Sequence, residues 1–90
     1  MPNDQTKIIM AYMSKDMESN ATTWFEEART TYTTFKDMAD YLKQKFDHIY
    51  GRNWQCIIGR DFESSITHLD NNLIYFRSKD LEILLFKTAY

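Results

Sequence analysis

At Gly51 the spacing of apolar residues along this chain changes from helical to strand-like. Ahead of it, Met17, Ala21, Trp24, Phe25, Ala28 and Tyr32 recur at i, i+4, i+7, i+8, i+11 and i+15. Phe35, Met38, Ala39, Leu42, Phe46, Ile49 and Tyr50 follow at i, i+3, i+4, i+7, i+11, i+14 and i+15. Each set marks one face of an amphipathic helix. After Gly51, the runs Trp54–Ile58, Phe62–His68, Leu73–Ser78 and Leu81–Lys87 are short and separated by turn residues, as strands are. With a further strand over "KIIMAYM" (Lys7 to Met13), the order is β-α-α-β-β-β-β. That order predicts an α+β domain in which two helices pack on an antiparallel sheet.

Local signals place the boundaries. Ser14 suits the N-cap of the first helix, with Asp16 and Glu18 in the favourable end of its dipole. Asp16, Glu18, Glu26 and Glu27 are expected to face water, and the β-branched "TTYTT" around Tyr32 ends the helix. Thr34 caps the second helix, with Asp37 in a capping-box-like position, and Gly51 supplies the left-handed residue at its end. "DNN" (Asp70 to Asn72) and "SKD" (Ser78 to Asp80) read as hairpin connections. "LEILLF" is nearly continuous in apolar residues, so both of its faces should be covered. Residues 1–6 read as a loose tail and 7–90 as one domain.

Composition narrows the function classes. The net charge of −2 lacks the basic field of a nucleic-acid binder, so Tyr75-Phe76-Arg77 reads as packing rather than an RNA-stacking surface. "MPNDQTK" has no apolar core behind it and no apolar run approaches a membrane span. A cytosolic chain is therefore expected, with its single cysteine, Cys56, reduced. Cys56, His48 and His68 form none of the close ligand pairs of a zinc site. Cys56 lies mid-strand as a small hydrophobe, and His48 sits on the solvated side of its helix. No phosphate loop, paired acids or nucleophile elbow occurs, so neither a catalytic residue, a metal nor a cofactor is expected.

The sheet is what remains. Two helices shield one face, while the other, expected to carry Trp54 and parts of Leu73–Phe86, needs a cover. A second copy would supply one as an isologous dimer. The half-polar run Phe62–His68 is a poor anchor in its own sheet. It is suited to leave and complete the sheet of a partner, freeing an edge that can accept a peptide as an added strand.

The span "FDHIYGRNWQCIIGRDFESSITH", with "IYF" at 74–76 and "ILLFK" at 83–87, resembles the small cytoplasmic dynein light chains of the hub-protein class. Trp54, Cys56, Ile57, Gly59, Arg60, Phe62, Ser64, Thr67 and His68 match that family residue by residue, and "YMSKDM" (12–17) extends the likeness toward the N-terminus. The resemblance implies a strand-exchanged homodimer with Phe62 to Thr67 exchanged. Trp54, Gln55, Ile57, Gly59, Phe62, Ser64 and Ile66 would lie at the interface. It implies a groove for short disordered segments, often centred on Thr-Gln-Thr, lined by Asp61, Phe62, Glu63, Ser64, Ser65, Ile66, Thr67 and His68. Lys36 would meet the central glutamine, Leu73 and Tyr75 would form the floor, and Arg77 would border it. The implied role is a non-catalytic adaptor with dynein intermediate chain among its partners, in the cytoplasm on the microtubule-associated motor. A diverged scaffold independent of dynein is the alternative.

The chain also departs from the family pattern. Glu63 stands where the family usually has Gly, and Ser65 where it has Tyr. Ile9-Met10 replaces a Lys-Asn pair, Phe35 an acid and Arg77 a Tyr, which together imply an altered client motif. Gln55 replaces a histidine whose protonation splits the dimer in mild acid. Glutamine cannot titrate, so that switch is expected to be absent.

Overall fold

The computed structural model describes residues 6–60 and 72–88. In chain order these form β1 (Thr6–Tyr12), α1 (Lys15–Thr31), α2 (Phe35–Tyr50), β2 (Trp54–Gly59), β3 (Leu73–Ser78) and β4 (Leu81–Lys87). The strands make one sheet in the order β1-β3-β4-β2, antiparallel at every pairing, with the helices on one face. The expected strand over Phe62–His68 lies outside the described residues.

The helices begin and end where their caps dictate. The Ser14 hydroxyl accepts the Met17 N–H at 3.2 Å, and the Thr34 hydroxyl accepts the Asp37 N–H at 3.1 Å. Near the end of α1 the hydroxyls of Thr30 and Thr31 donate back to the Glu27 carbonyl at 3.0 and 2.8 Å. Side chains that compete in this way for helical carbonyls weaken the last turn. The helix stops at Tyr32, whose N–H closes on Ala28 at 2.8 Å. Gly51 follows α2 with φ 84°, a conformation that a side chain would strain.

Side chains alternate across the sheet. On the helix side, the pairings align Ala11, Ile74, Leu85 and Cys56 in one row, and Ile8, Phe76, Ile83 and Ile58 in the next. Ala21, Phe25, Ala28, Met38, Leu42 and Phe46 descend onto these rows from the helices. Each large side chain so enclosed contributes about 1.5–3 kcal/mol relative to exposure. Leu81 to Leu85 are all buried, so β4 is covered on both faces as its composition requires.

Three positions differ from expectation. Trp54 belongs to the helix side, fully buried against Phe46, not to the opposite face. Ile49 is 52% exposed, because the last turn of α2 directs Phe46 and Tyr50 toward Trp24 and leaves Ile49 outside that cluster. Glu26 does not simply face water: Ser78, fully buried on the helix side of β3, donates to its carboxylate at 2.7 Å. A buried hydroxyl needs such a partner. Arg29 grips the same carboxylate through bonds of 2.7 and 2.9 Å and donates to Ser78 at 2.9 Å.

Candidate functional site

The face of the sheet turned away from the helices is ordered into three rows by the strand register. Tyr12, Leu73, Phe86 and Gln55 form the first, and Met10, Tyr75, Leu84 and Ile57 the second. Lys7, Arg77, Glu82 and Gly59 form the third, at the end nearest the β3–β4 turn. An irregularity between Ile8 and Met10 resets the alternation, so that Lys7 and Met10 share this face although three residues apart. Leu73 and Leu84 are buried, whereas Ile57 is 48% exposed on β2. Among the described residues β2 pairs only with β4, so its outer edge meets no described strand.

One carboxylate interrupts this apolar surface. Glu82 accepts from Arg77 Nη2 at 2.7 Å and from the Tyr75 hydroxyl at 2.9 Å. The Arg77 bond first, then that of Tyr75, holds the Glu82 carboxyl below the usual range. Its side chain is 6% exposed, against 50% for that of Arg77. Charge at this end of the sheet therefore presents itself as guanidinium, with the carboxylate sunk beneath.

The start of α2 is tied to the same end. Arg60, just past β2, lies 5.6 Å from the centroid of the Phe35 ring and 3.5 Å from Asp80 in the β3–β4 turn. Phe35 thus lies beside a cation at this end of the sheet. Lys36 points outward with its side chain 82% exposed and bonds to Asp40 at 3.1 Å.

The fold brings Leu73, Tyr75 and Arg77 onto one surface with Gln55, Ile57 and Gly59. It keeps Lys36 on the helical layer and Trp54 inside the core. Asp61, Phe62, Glu63, Ser64, Ser65, Ile66, Thr67 and His68 lie outside the described residues. Glu82 was missed by sequence reasoning, although a signal existed: it stands five residues after Arg77 across a two-residue turn, which places the two directly opposite.

The remaining titratable groups give little chemistry. Burial, then the charge of Asp40, pushes the Cys56 thiol well above its ordinary range, the reverse of an activated nucleophile. His48 is exposed on the outside of α2. Among the described residues no group of three or more His, Cys, Asp and Glu side chains is placed to hold a metal. Among the described residues, the surface offers a strand edge that meets no other strand and an apolar sheet face with one charged end.

Residues 5–88 match the family described as Dynein light chain type 1. The chain belongs to the dynein light chain family. This light chain is 43% identical over 76 residues to a protein of Emericella nidulans named "Dynein light chain, cytoplasmic", covering 84% of this chain and 81% of that one. Its fold matches the dynein light chain-like domain of the Fasciola hepatica calcium binding protein FhCaBP2 with a TM-score of 0.84 at 25% identity, over 100% of this chain and 98% of that one. The corresponding domain of CsTAL3 gives a TM-score of 0.80 at 18% identity, over 97% and 98% of the two chains, a likeness of fold alone.

Proposed function

We propose that this dynein light chain is a cytoplasmic, non-catalytic adaptor of the dynein motor that works as a homodimer and binds short linear segments of other proteins by strand addition. The observation that carries this reading is the surface around β2. A strand whose outer edge meets no other described strand, and whose Ile57 is exposed, lies in one sheet with the apolar outer-face residues Leu73, Tyr75 and Leu84. An edge of this kind pairs readily with another extended chain. In the proposed assembly, Phe62, Ser64 and Ile66 of one subunit extend the other's β2, and Gln55, Ile57 and Gly59 pack across the twofold axis. The rest of the 61–68 segment lines the groove, with Lys36 at its rim.

The dynein association and cytoplasmic location follow family membership and the name of the Emericella nidulans relative. Two identical grooves on one dimer would hold two client chains together and raise avidity through effective concentration. Sedimentation of the full chain at neutral pH tests the first half of the reading, with a dimer expected. Binding of Thr-Gln-Thr-centred peptides, including one from dynein intermediate chain, tests the second. A monomer at high concentration, or a dimer that captures no extended peptide, defeats the reading. Peptide capture without retention of intermediate chain would favour a scaffold working apart from dynein.

A further inference from the structure

The register of β2 decides which of its backbone groups the sheet uses. In an antiparallel pair, alternate residues turn both N–H and C=O toward the neighbouring strand, and the residues between turn theirs away. The Thr88 N–H donates to the Asn53 carbonyl at 2.8 Å, so these two, flanking the pair Trp54 and Lys87, face each other. Counting by twos from there, Gln55, Ile57 and Gly59 turn toward β4, opposite Phe86, Leu84 and Glu82. The backbone groups of Trp54, Cys56 and Ile58 therefore point to the outer edge.

One of these outward groups is already taken. The Trp54 N–H donates to Asp47 Oδ1 at 2.8 Å, and Lys43 fastens the other oxygen of that carboxylate at 2.6 Å. Asp47 is thus clamped by α2 with its side chain only 19% exposed. A strand added to β2 lies about 4.8 Å away, and any carbonyl it brought to the Trp54 N–H would need the place that Oδ1 holds. Among the described residues no strand meets Cys56 or Ile58 on this side. The edge is closed at Trp54 and begins at Cys56.

Such a stop answers a weakness in the incoming segment. A strand that slips by two residues keeps every side chain on its own face, so burial alone does not forbid the slip. Phe62–Thr67, with Glu63, Ser64, Ser65 and Thr67 on its two sides, offers little apolar pattern to set its register. We infer that Asp47 is a register-determining residue. It caps the first outward N–H of β2, so that the strand lent by a second copy pairs from Cys56 onward and cannot slide toward Asn53. The inference rests on the strand-exchange reading above and adds its register. Lys43 is a positioning residue, acting on the incoming strand only through Asp47.

The test is residue-resolved amide hydrogen exchange on the full chain, with half-labelled dimers to locate contacts between subunits. In the unaltered protein, dilution toward monomer should speed exchange at Cys56 and Ile58 about tenfold or more, while Trp54 keeps its protection. Contacts between subunits should show one register, with no partner carbonyl on the Trp54 N–H. Asp47→Ala should speed Trp54 exchange in the monomer about ten- to hundredfold. In its dimer, β2 should give two sets of signals from registers two residues apart. Asp47→Asn, which keeps an acceptor oxygen, should retain a single register. One unchanged register in Asp47→Ala, or a partner carbonyl on Trp54 in the unaltered dimer, overturns the inference while strand exchange stands. Trp54 protection that falls with dilution as that of Cys56 does overturns it as well. A dimer with no partner strand on β2, or no dimer at all, overturns strand exchange itself. Should Asp47→Ala fail to fold, the dilution series on the unaltered protein still decides the matter.

Discussion

The indole of Trp54 meets the ring of Phe46 edge-on, with centroids 4.8 Å apart and planes at 66°. Phe46 in turn meets Trp24 edge-on at 5.4 Å and Tyr50 at 5.0 Å, so one ring joins α1, α2 and β2. The backbone adds a second tie, since the Trp54 N–H donates to Asp47 at 2.8 Å and Lys43 holds the same carboxylate at 2.6 Å. Burial pushes the Asp47 carboxyl up, but the bonds from Lys43 and the Trp54 N–H outweigh it and leave it below the ordinary range. β2 is thus anchored from the helix side, which leaves Gln55 and Ile57 on its outer side in a fixed place. Rigid presentation lowers the ordering cost of strand addition.

Phe46→Ala should therefore cost more than an average core truncation. Removing a buried phenyl group costs about 3–5 kcal/mol, and here it withdraws the edge contacts of both Trp24 and Trp54 at once. A domain of this length has a total stability at the low end of about 5–15 kcal/mol. The expected outcome is a large fall in the urea midpoint and a red shift of tryptophan emission. An unchanged midpoint would show that the aromatic cluster is not what seats β2.

The Glu26–Ser78–Arg29 network gives the fold an acid-sensitive tie. Burial pushes the Glu26 carboxyl up, but the hydrogen bonds from Arg29 and Ser78 outweigh it and leave it below its ordinary value. A carboxyl lowered in the folded state contributes stability above its unfolded pKa of about 4.3 and loses it as pH falls through the folded value. Glu26→Gln should cost about 1 kcal/mol at neutral pH, a modest figure because the side chain is 33% exposed. The gap from the unaltered protein should close in strong acid. Urea titrations of both proteins across the acid range measure it, and a pH-independent gap would refute the electrostatic account.

Thr34→Ala should cost about 1 kcal/mol, because it removes the acceptor for the Asp37 N–H at the start of α2. Thr34→Asn should cost much less, since asparagine caps as well as threonine does. Thermal melts of the two variants suffice. Equal losses in both would mean that the contact of the threonine methyl group, not the cap, matters at this position.

These caps were legible in the sequence, as were β3 and β4 to the residue, because each is written in a few neighbouring side chains. Helix periodicity likewise named Ala21, Phe25, Ala28, Met38, Leu42 and Phe46 as core. The misreadings lay where long-range geometry decides. Which face Trp54 takes depends on strand register, and Glu26 looked solvated until Ser78 arrived from 52 residues away. Glu82 seemed an isolated acid in an apolar strand, since its pairing with Arg77 exists only once the turn at Lys79–Asp80 has set the register. Leu73 and Tyr75 do share one strand face, and the spacing of Arg77 and Glu82 across a two-residue turn was the one sign of the ion pair at the end of that face.

Gln55 carries the last prediction. It is exposed on the outer face, opposite Phe86 in the β2–β4 pairing, where a twofold dimer would bring both copies of residue 55 onto one buried surface. An imidazole there would be neutral at pH 7 and charged below about pH 6.5. Burying a pair of like charges opposes association, so histidine would make the dimer acid-labile. Glutamine has no proton to gain in this range. The protein is therefore expected to sediment as a dimer at about pH 5 as well as at neutral pH. Gln55→His should be dimeric at neutral pH and shift toward monomer at the lower value. Clean dissociation of the unaltered protein in mild acid would assign the switch to another group. Identical behaviour of Gln55→His at both pH values would place residue 55 outside the interface.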